Sequence, residues 1–361
     1  MRICVIMAGG VGERFWPYSR KQRPKQLLKI VTKKSFLEEV IQRIIPFFTL
    51  EHIFLVTNSM MKKGILEEIP NFPGENIICE PMGRNTAACL ALAEVVTSHR
   101  FGDPTMTVLT ADHLIHNAEV FLRNMEAACR YAEDTGGLVT IGIPPTRDET
   151  GFGYIEAGEV VRDRKWGRIF RVVRFREKPN LETVEKYLKA GHFYWNSGMF
   201  FWKNSVLRAN LERFLPNTME GMNRYRNALG TPEADQILSE AFEKAESISI
   251  DYAIMEKAEK VFMVQADFDW DDIGTWNALE RCFSRDEKGN LLIGRGEMVN
   301  TRETLVYNPE MPDAPLVITF GLEDILIVVD RDVVMVCPKS EAPKLKSLVE
   351  ELYKKNLEKY L

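Results

Sequence analysis

The stretch Val5–Leu27, VIMAGGVGERFWPYSRKQRPKQL, decides how the chain is read. It leaves a strand-like apolar run, crosses three glycines in four positions (Gly9, Gly10, Gly12), reaches Arg14, and continues through two basic clusters to Pro24, Lys25 and Gln26. Three glycine loops compete for this pattern. A dinucleotide fingerprint needs GxGxxG. Gly10 and Gly12 fit it, but the third position is Phe15, and the second strand-like run, IFLVT, ends at Asn58 where a ribose-binding acid is required. That removes the NAD-dependent oxidoreductase reading. A Walker loop needs GxxxxGK[ST], which the sequence does not contain. The reading left is a loop whose backbone N–H groups wrap the phosphates of a nucleotide, with Arg14 and Lys25 as clamps. Glycines alone favour a plain strand-to-helix turn with a solvated basic face. Adding Arg14, Pro17, Arg23, Pro24, Lys25 and Gln26 in one stretch favours the phosphate loop.

The composition narrows the partners. The chain has 361 residues, 47 Lys and Arg against 52 Asp and Glu, and a net charge of −5. Acid and base are mixed along it, which argues against general nucleic-acid or membrane binding. A triphosphate carries about four negative charges, so such a chain must meet it with local positive charge. No apolar run reaches membrane-spanning length, and MRICVIMAGG reads as a buried first strand rather than a signal peptide. The six cysteines are far apart, form no CxxC pair and lie mostly in apolar stretches, as in a reduced, cytoplasmic protein.

Periodicity sets the fold class. RICVIM, IFLVT, NIIC, TMTVLT and LVTIGI are short, nearly continuous apolar runs suited to strands buried on both faces. Helical patterns lie between them: SFLEEVIQRIIPFF, NTAACLALAEVVTSH and AEVFLRNMEAACRYAEDTGG. This alternation predicts an α/β fold with a Rossmann-like, mixed but mostly parallel sheet flanked by helices. Ligands in such sheets bind at the carboxyl ends of the strands, where the glycine loop and Asp112 fall. Beyond Pro144 the pattern is mixed, with short strands, then helix from about Asn204 to Lys257, then VFMVQA leading into DFDWDDIGTW. SRDEKGN, Ser284 to Asn290, reads as a linker. The expected division is residues 1–284 as a catalytic unit and 285–361 as a small β domain closed by a terminal amphipathic helix.

Several residues have two readings each. Asp112 follows a buried strand, and Asp271 and Asp272 follow DFDW. Such carboxylates suit a divalent cation shared with phosphate oxygens, while Asp272 also suits an N-cap for IGTWNALERCF. Glu177 and Lys178 in FREKP sit where Pro179 ends a strand. They suit sugar hydroxyls and a sugar phosphate, or an exposed ion pair. Asn196 in WNSGMFF suits a sugar hydroxyl, or an Asx turn just before an apolar strand. Gly151 and Gly153 permit close backbone approach, and the acidic PTRDETGFG, residues 145–153, suits a lid. Asn85 and Thr86 start a helix and read equally as caps, as does Asp251 before YAIMEKAEK.

Taken together, MAGGVGERFWPYSRKQRPKQ, EPMGRNTAA, ADHLI, GFGYI, FREKP, WNSGMF, SIDYAIME and WDDIGTW, in this order, resemble the sugar-nucleotide pyrophosphorylases, and among them the mannose-1-phosphate guanylyltransferases, across nearly the whole chain. Phe15 and Trp16 replace the commoner aliphatic pair of the opening motif. The resemblance implies a nucleotide-diphospho-sugar transferase fold with a β-helix-like C-terminal domain. It implies in-line transfer of GMP from GTP to mannose 1-phosphate, giving GDP-mannose and pyrophosphate, without a covalent intermediate. It assigns a metal, Mg²⁺, to Asp112 and Asp272 and sets Asp271 aside. Arg14, Lys25 and Lys178 become catalytic cations. Ala8, Gly9, Gly10, Gly12, Glu80, Pro81, Arg84, Asn85 and Thr86 bind the nucleotide. Gly153, Glu177, Lys178, Asn196 and Asp251 bind the sugar phosphate. Other hexose-1-phosphate uridylyl-, thymidylyl- or adenylyltransferases share most of these motifs, and a silent nucleotide-sugar-binding regulatory subunit is the alternative of another class. Short strand edges in the tail suit a homodimer. With about 70 residues after the linker, a single activity is expected.

Overall fold

The computed structural model describes residues 1–10, 12–164, 167–176, 178–309, 311 and 314–361. In chain order its first strands are β1 (Arg2–Met7), β2 (Ile53–Asn58), β3 (Ile77–Glu80), β4 (Thr105–Thr110), the two-residue β5 (Leu114–Ile115), β6 (Leu138–Ile143), β7 (Tyr154–Arg164), β8 (Gly167–Arg176), β9 (Phe193–Lys203), β10 (Val261–Gln265) and the two-residue β11 (Trp270–Asp271). All but β5 and β11 form one nine-stranded sheet in the order β3-β2-β1-β4-β9-β6-β10-β8-β7, with β7 returning to pair with β9. Strands β3, β2, β1 and β4 are mutually parallel, and β6, β10 and β7 run the same way. Only β9 and β8 run against them, so the sheet is mixed but mostly parallel in direction.

Burial on both faces explains the continuous apolar strands. In β1, Cys4 and Ile6 face one core while Ile3 and Val5 face the other. Helices α1 (Phe36–Ile44), α2 (Ser59–Glu68) and α4 (Ala118–Thr135) cover the first face. Helices α3 (Asn85–Phe101), α6 (Asn204–Phe214), α7 (Pro216–Ala228) and α8 (Ala234–Lys244) cover the second. Two helices go beyond the sequence reading, α2 and α5 (Leu181–Ala190). Both start at an asparagine cap: Asn58 Oδ1 accepts from Met61 N and Asn180 Oδ1 from Thr183 N. The triad Asn196, Ser197 and Gly198 does not precede a strand, as expected, but lies inside β9. Gly198 there has φ +67°, beside a break in the β6–β9 register.

After the short α9 (Leu279–Cys282) come β12 (Leu291–Gly294), β13 (Gly296–Val299), β14 (Leu305–Asn308), β15 (Val317–Phe320), β16 (Ile325–Asp330) and β17 (Val333–Pro338), then α10 (Leu345–Lys354). β12, β14 and β16 stack in parallel with β17 antiparallel beside β16, and β13 pairs with β15 in parallel. Alternation gives these strands two destinations. Val306, Ile327 and Val329 fill the inside of the coil, whereas Leu305, Tyr307, Leu326 and Val328 face the opening motif.

This second destination is a third core shared by both ends of the chain. Phe15, Trp16, Leu28, Ile30, Ile273 and Trp276 pack in one cluster with the tail's Leu305, Tyr307, Leu326, Leu345 and Val349. Trp276 sits at its centre, with ring centroids 5.2 Å from Phe15 and 4.9 Å from Tyr307, and its Nε1 donates to Trp16 O at 3.2 Å. Trp276→Ala should therefore cost about 3–5 kcal/mol. The check is urea unfolding followed by tryptophan fluorescence, with a fall of that size in unfolding free energy expected.

Candidate active site

The opening loop is held in shape by its own neighbours. Ala8, past the end of β1, donates its N–H to Val56 O at 2.9 Å, and its carbonyl accepts from Thr57 Oγ1 at 2.9 Å. Gln26 Nε2 donates to Gly10 O at 2.7 Å, and Ser19 Oγ donates to Gly12 O at 2.7 Å. Gly12 has φ +73°, and a Cβ there would stand 2.3 Å from the Cβ of Lys25. Glycine is thus required on two grounds, left-handed backbone and close approach.

That approach places Lys25 in a cavity of about 330 Å³ with Gly10, Gly12, Glu13, Arg14, Phe15, Asp112, His113, Asp272, Gly274 and Lys346. Lys25 is buried, at 7% exposure. Its ammonium donates to Asp112 Oδ2 at 2.7 Å and to Asp272 O at 3.0 Å. The loop, the end of β4 and the turn after β11 thus converge on one charge. The basic residues of the opening motif divide between two tasks. Arg14 and Lys25 line the cavity, whereas Arg20 and Arg23 point to the tail and share the buried Asp330, at 3.0 and 2.8 Å from its Oδ2.

The two candidate metal carboxylates differ electrostatically. Burial pushes the Asp112 carboxyl up, but the Lys25 ammonium and its hydrogen bond outweigh it and hold Asp112 below the usual range. Burial raises Asp272 to about 6, with Lys25 opposing and the neighbouring Asp271, Asp112 and Glu149 adding to the rise. Burial also lowers His113 to about 4, so its ring is neutral near pH 7 and packs edge-on against Trp270. Asp272 caps no helix, since the turn after it starts at Thr275. Gly274 lies so close that a Cβ would be 2.9 Å from Asp272 Oδ2. Asp271 has a different task. Its carboxylate takes Arg281 Nε at 2.5 Å and Nη2 at 2.7 Å, and accepts from Ile273 N at 2.9 Å. Ile273 has φ +41°, costly for a β-branched residue, so Asp271 secures the strained turn that presents Asp272.

Among the residues expected to bind sugar, Asn196 Nδ2 donates to Asp251 Oδ1 at 2.7 Å and Asn196 N to Gly153 O at 2.8 Å. Asp251 opens a single π-helical turn, Asp251–Met255, and its side chain makes no cap there. Burial raises its carboxyl, with the Asn196 hydrogen bond and nearby Lys178 opposing. Lys178 follows β8 with φ +43°. Glu177 lies outside the described residues. The PTRDETGFG segment, residues 145–153, is anchored rather than loose: the Arg147 guanidinium stands 4.9 Å over the Trp195 ring, and Glu149 O accepts from Tyr154 Oη at 2.9 Å.

Among the residues expected to bind the nucleotide, Glu80 borders the loop, since a Cβ on Gly9 would lie 3.2 Å from its Oε2, and burial raises its carboxyl to about 7. Pro81 is exposed beside it. Asn85 has φ +63° and Thr86 Oγ1 accepts from Ile250 N at 2.8 Å. The Arg84 guanidinium is committed elsewhere, donating to Phe242 O at 2.8 Å and Glu243 O at 3.0 Å. It therefore holds the segment against α8 instead of projecting toward the loop. Gln26, Ser19, Asp271 and Lys346 acquire roles that sequence reasoning did not assign, and only Gln26 carried a signal, within PKQ.

Gly12→Ala should displace Lys25, because the added methyl occupies its stem and the backbone must leave φ +73°. Turnover falling by roughly 10²-fold or more, with a melting temperature within about 4 °C of the parent, is the expected result of paired kinetic and melting measurements.

The family described as nucleotidyl transferase matches residues 3–289, and a mannose-phosphate isomerase/GMP-like β-helix domain matches residues 294–352. A mannose-1-phosphate guanylyltransferase of Klebsiella pneumoniae is 37% identical over 369 residues, covering 100% of this chain and 76% of the relative. An Escherichia coli protein of the same name is 37% identical, covering 98% and 74%. The crystal structure of a Thermus thermophilus protein, described as a mannose-1-phosphate geranyltransferase, superposes with a TM-score of 0.85 at 32% identity, covering 98% of this chain and 99% of that one. The chain belongs to the nucleotidyl transferase family and, within it, to the mannose-1-phosphate guanylyltransferases.

Proposed function

We propose that the protein transfers GMP from GTP to α-D-mannose 1-phosphate, releasing pyrophosphate and forming GDP-mannose. The observation that carries this reading is the cavity that joins the glycine loop, Arg14, Lys25 and the carboxylates of Asp112 and Asp272, in a chain alike over its full length to guanylyltransferases. A phosphate oxygen of the sugar phosphate attacks the α-phosphorus in line with the departing pyrophosphate. The phosphate is already a nucleophile, so no enzyme group needs to be covalently charged. Catalysis then rests on alignment and on fixed charge. Arg14 and Lys25 face the leaving pyrophosphate, and the N–H groups of the Gly9–Gly12 loop align the phosphate chain. Lys178 holds the attacking phosphate. Asn196 and Asp251, already hydrogen-bonded to each other, hold sugar hydroxyls beside Gly153, with Glu177 as their expected companion. Ala8, Gly9, Glu80, Pro81, Asn85 and Thr86 receive the nucleoside, and Arg84 braces them from behind. Residues 1–284 act as the catalytic unit, and 285–361 as a domain that holds the opening motif.

Magnesium fits Asp112 and Asp272. Among the described residues no cluster of three or more His, Cys, Asp or Glu could hold a metal, and this ion needs only one or two carboxylates when phosphate oxygens and water complete its shell. The half-buried Asp272 carboxyl, raised to about 6 amid other acids, is of the kind a cation relieves. When bound, the ion would draw charge from the reacting phosphates. The geranyl group in the Thermus protein's description is not favoured for this chain, since among the described residues Phe15 is the one large apolar side chain lining the cavity. No helix among the described residues is long and apolar enough to cross a membrane, and we place the enzyme in the cytoplasm. Ile318, Phe320, Val334 and Val336 lie exposed on β15 and β17, which supports a homodimer joined through the tail.

The test is pyrophosphate release with magnesium, crossing GTP, ATP, UTP and dTTP with mannose 1-phosphate and glucose 1-phosphate. Preference for GTP with mannose 1-phosphate is expected. Another preferred pair overturns the specificity, and no release with any pair overturns the activity. A second prediction follows from Asp272. Its folded carboxyl is raised, so its ionised form costs stability above about pH 6 and that cost fades as pH falls through 6. Magnesium should therefore raise the melting temperature by roughly 2–5 °C at pH 7.5 and by much less at pH 5, where protons compete for the carboxylate. Equal increments at the two pH values would remove Asp272 from the metal site.

A further inference from the structure

We propose that Lys346, on α10 of the C-terminal domain, is a further binding residue for the polyphosphate of the nucleotide, so that the site is completed by residues from both domains. The inference rests on the reading of the cavity as a nucleoside-triphosphate site. Three observations carry it. Lys346 lines the same cavity as Gly10, Gly12, Arg14, Lys25, Asp112 and Asp272. Its position is set by packing: Leu345 and Val349, one before it and three after, are buried in the shared core with Phe15 of the opening motif. Its charge is only loosely held. The Nζ lies 3.8 Å from Glu13 Oε2, and the side chain is 62% exposed, a geometry in which an ion pair contributes little. Lys25, by contrast, is already neutralised by Asp112 at 2.7 Å.

Charge balance gives the residue its task. The cavity holds the cations Arg14, Lys25 and Lys346 against the carboxylates Glu13, Asp112 and Asp272. A triphosphate brings about four more negative charges. An ammonium on a flexible stem at the cavity rim turns from Glu13 to a phosphate oxygen at little cost, because it leaves a weak partner for a strong one. Lys346 therefore serves GTP and pyrophosphate, whereas Lys178, Asn196 and Asp251, proposed for the sugar phosphate, are not among the residues lining its cavity.

The experiment compares wild type, Lys346→Met and Lys346→Arg in steady-state pyrophosphate release, with GTP and mannose 1-phosphate varied in turn and pyrophosphate added as product inhibitor. Lys346→Met should raise KM for GTP and Ki for pyrophosphate together, each by roughly tenfold, as for loss of one charged hydrogen bond. KM for mannose 1-phosphate and the melting temperature should stay near wild type, and Lys346→Arg should restore most of the loss. GTP and pyrophosphate constants within twofold of wild type would overturn the proposal. So would a loss falling equally on both substrates together with a lowered melting temperature, which would mark α10 as a structural support only. Absence of turnover in the wild type would instead overturn the functional reading itself.

Discussion

A buried ammonium must be paired, and the candidate site is arranged around that rule at Lys25. Its two partners come from places far apart in the chain, the Asp112 carboxylate after β4 and the Asp272 carbonyl after β11. Its stem passes over Gly12 at a distance no other residue would allow. One side chain thus fixes the relative positions of the phosphate loop and both candidate metal carboxylates. Ser19 and Gln26 then lock the loop carbonyls of Gly12 and Gly10.

The same lysine separates the behaviour of two similar carboxylates. Asp112 receives its ammonium directly and stays ionised. Asp272 gives Lys25 only its backbone oxygen, keeps its carboxyl among other acids, and rises to about 6. Asp271 cannot replace it, because Arg281 and the strained amide of Ile273 already occupy its oxygens. Adjacent residues of one type therefore differ, one spent on holding the turn and the other left with its carboxyl in the cavity.

Much of the architecture was legible because it depends on local pattern. Double-sided burial writes itself as continuous apolar runs, and β1, β2, β4 and β6 fall where those runs do. Helices α2 and α5 were missed because their apolar faces are short, although Asn58 and Asn180 stand at their starts as capping signals. The glycine loop suggested a phosphate loop only with its basic followers. Which of those face the site was not readable, since Arg20 and Arg23 are drawn off by Asp330, 307 or more residues downstream. Likewise nothing local distinguishes Asp271 from Asp272, or marks Lys346 among the lysines of an amphipathic helix. Those assignments exist only once distant segments meet. The placement of Asn196 inside β9 was hidden by Gly198, whose positive φ lets an extended strand carry what reads as a turn.

The shared aromatic core also sets an order of events during synthesis. Trp16 Nε1 donates to Tyr360 O at 2.9 Å across 344 residues, and Phe15 packs beside Leu345 and Val349. The opening motif leaves the ribosome among the first residues, yet its aromatic side chains gain their last partners only after the tail has emerged. The large sheet can form earlier from its own strands, as domains do during translation. The opening motif is then the first part of the chain made and among the last parts fully packed, so a nascent or C-terminally clipped chain would carry every signature glycine and still lack the tail side of the core that supports them.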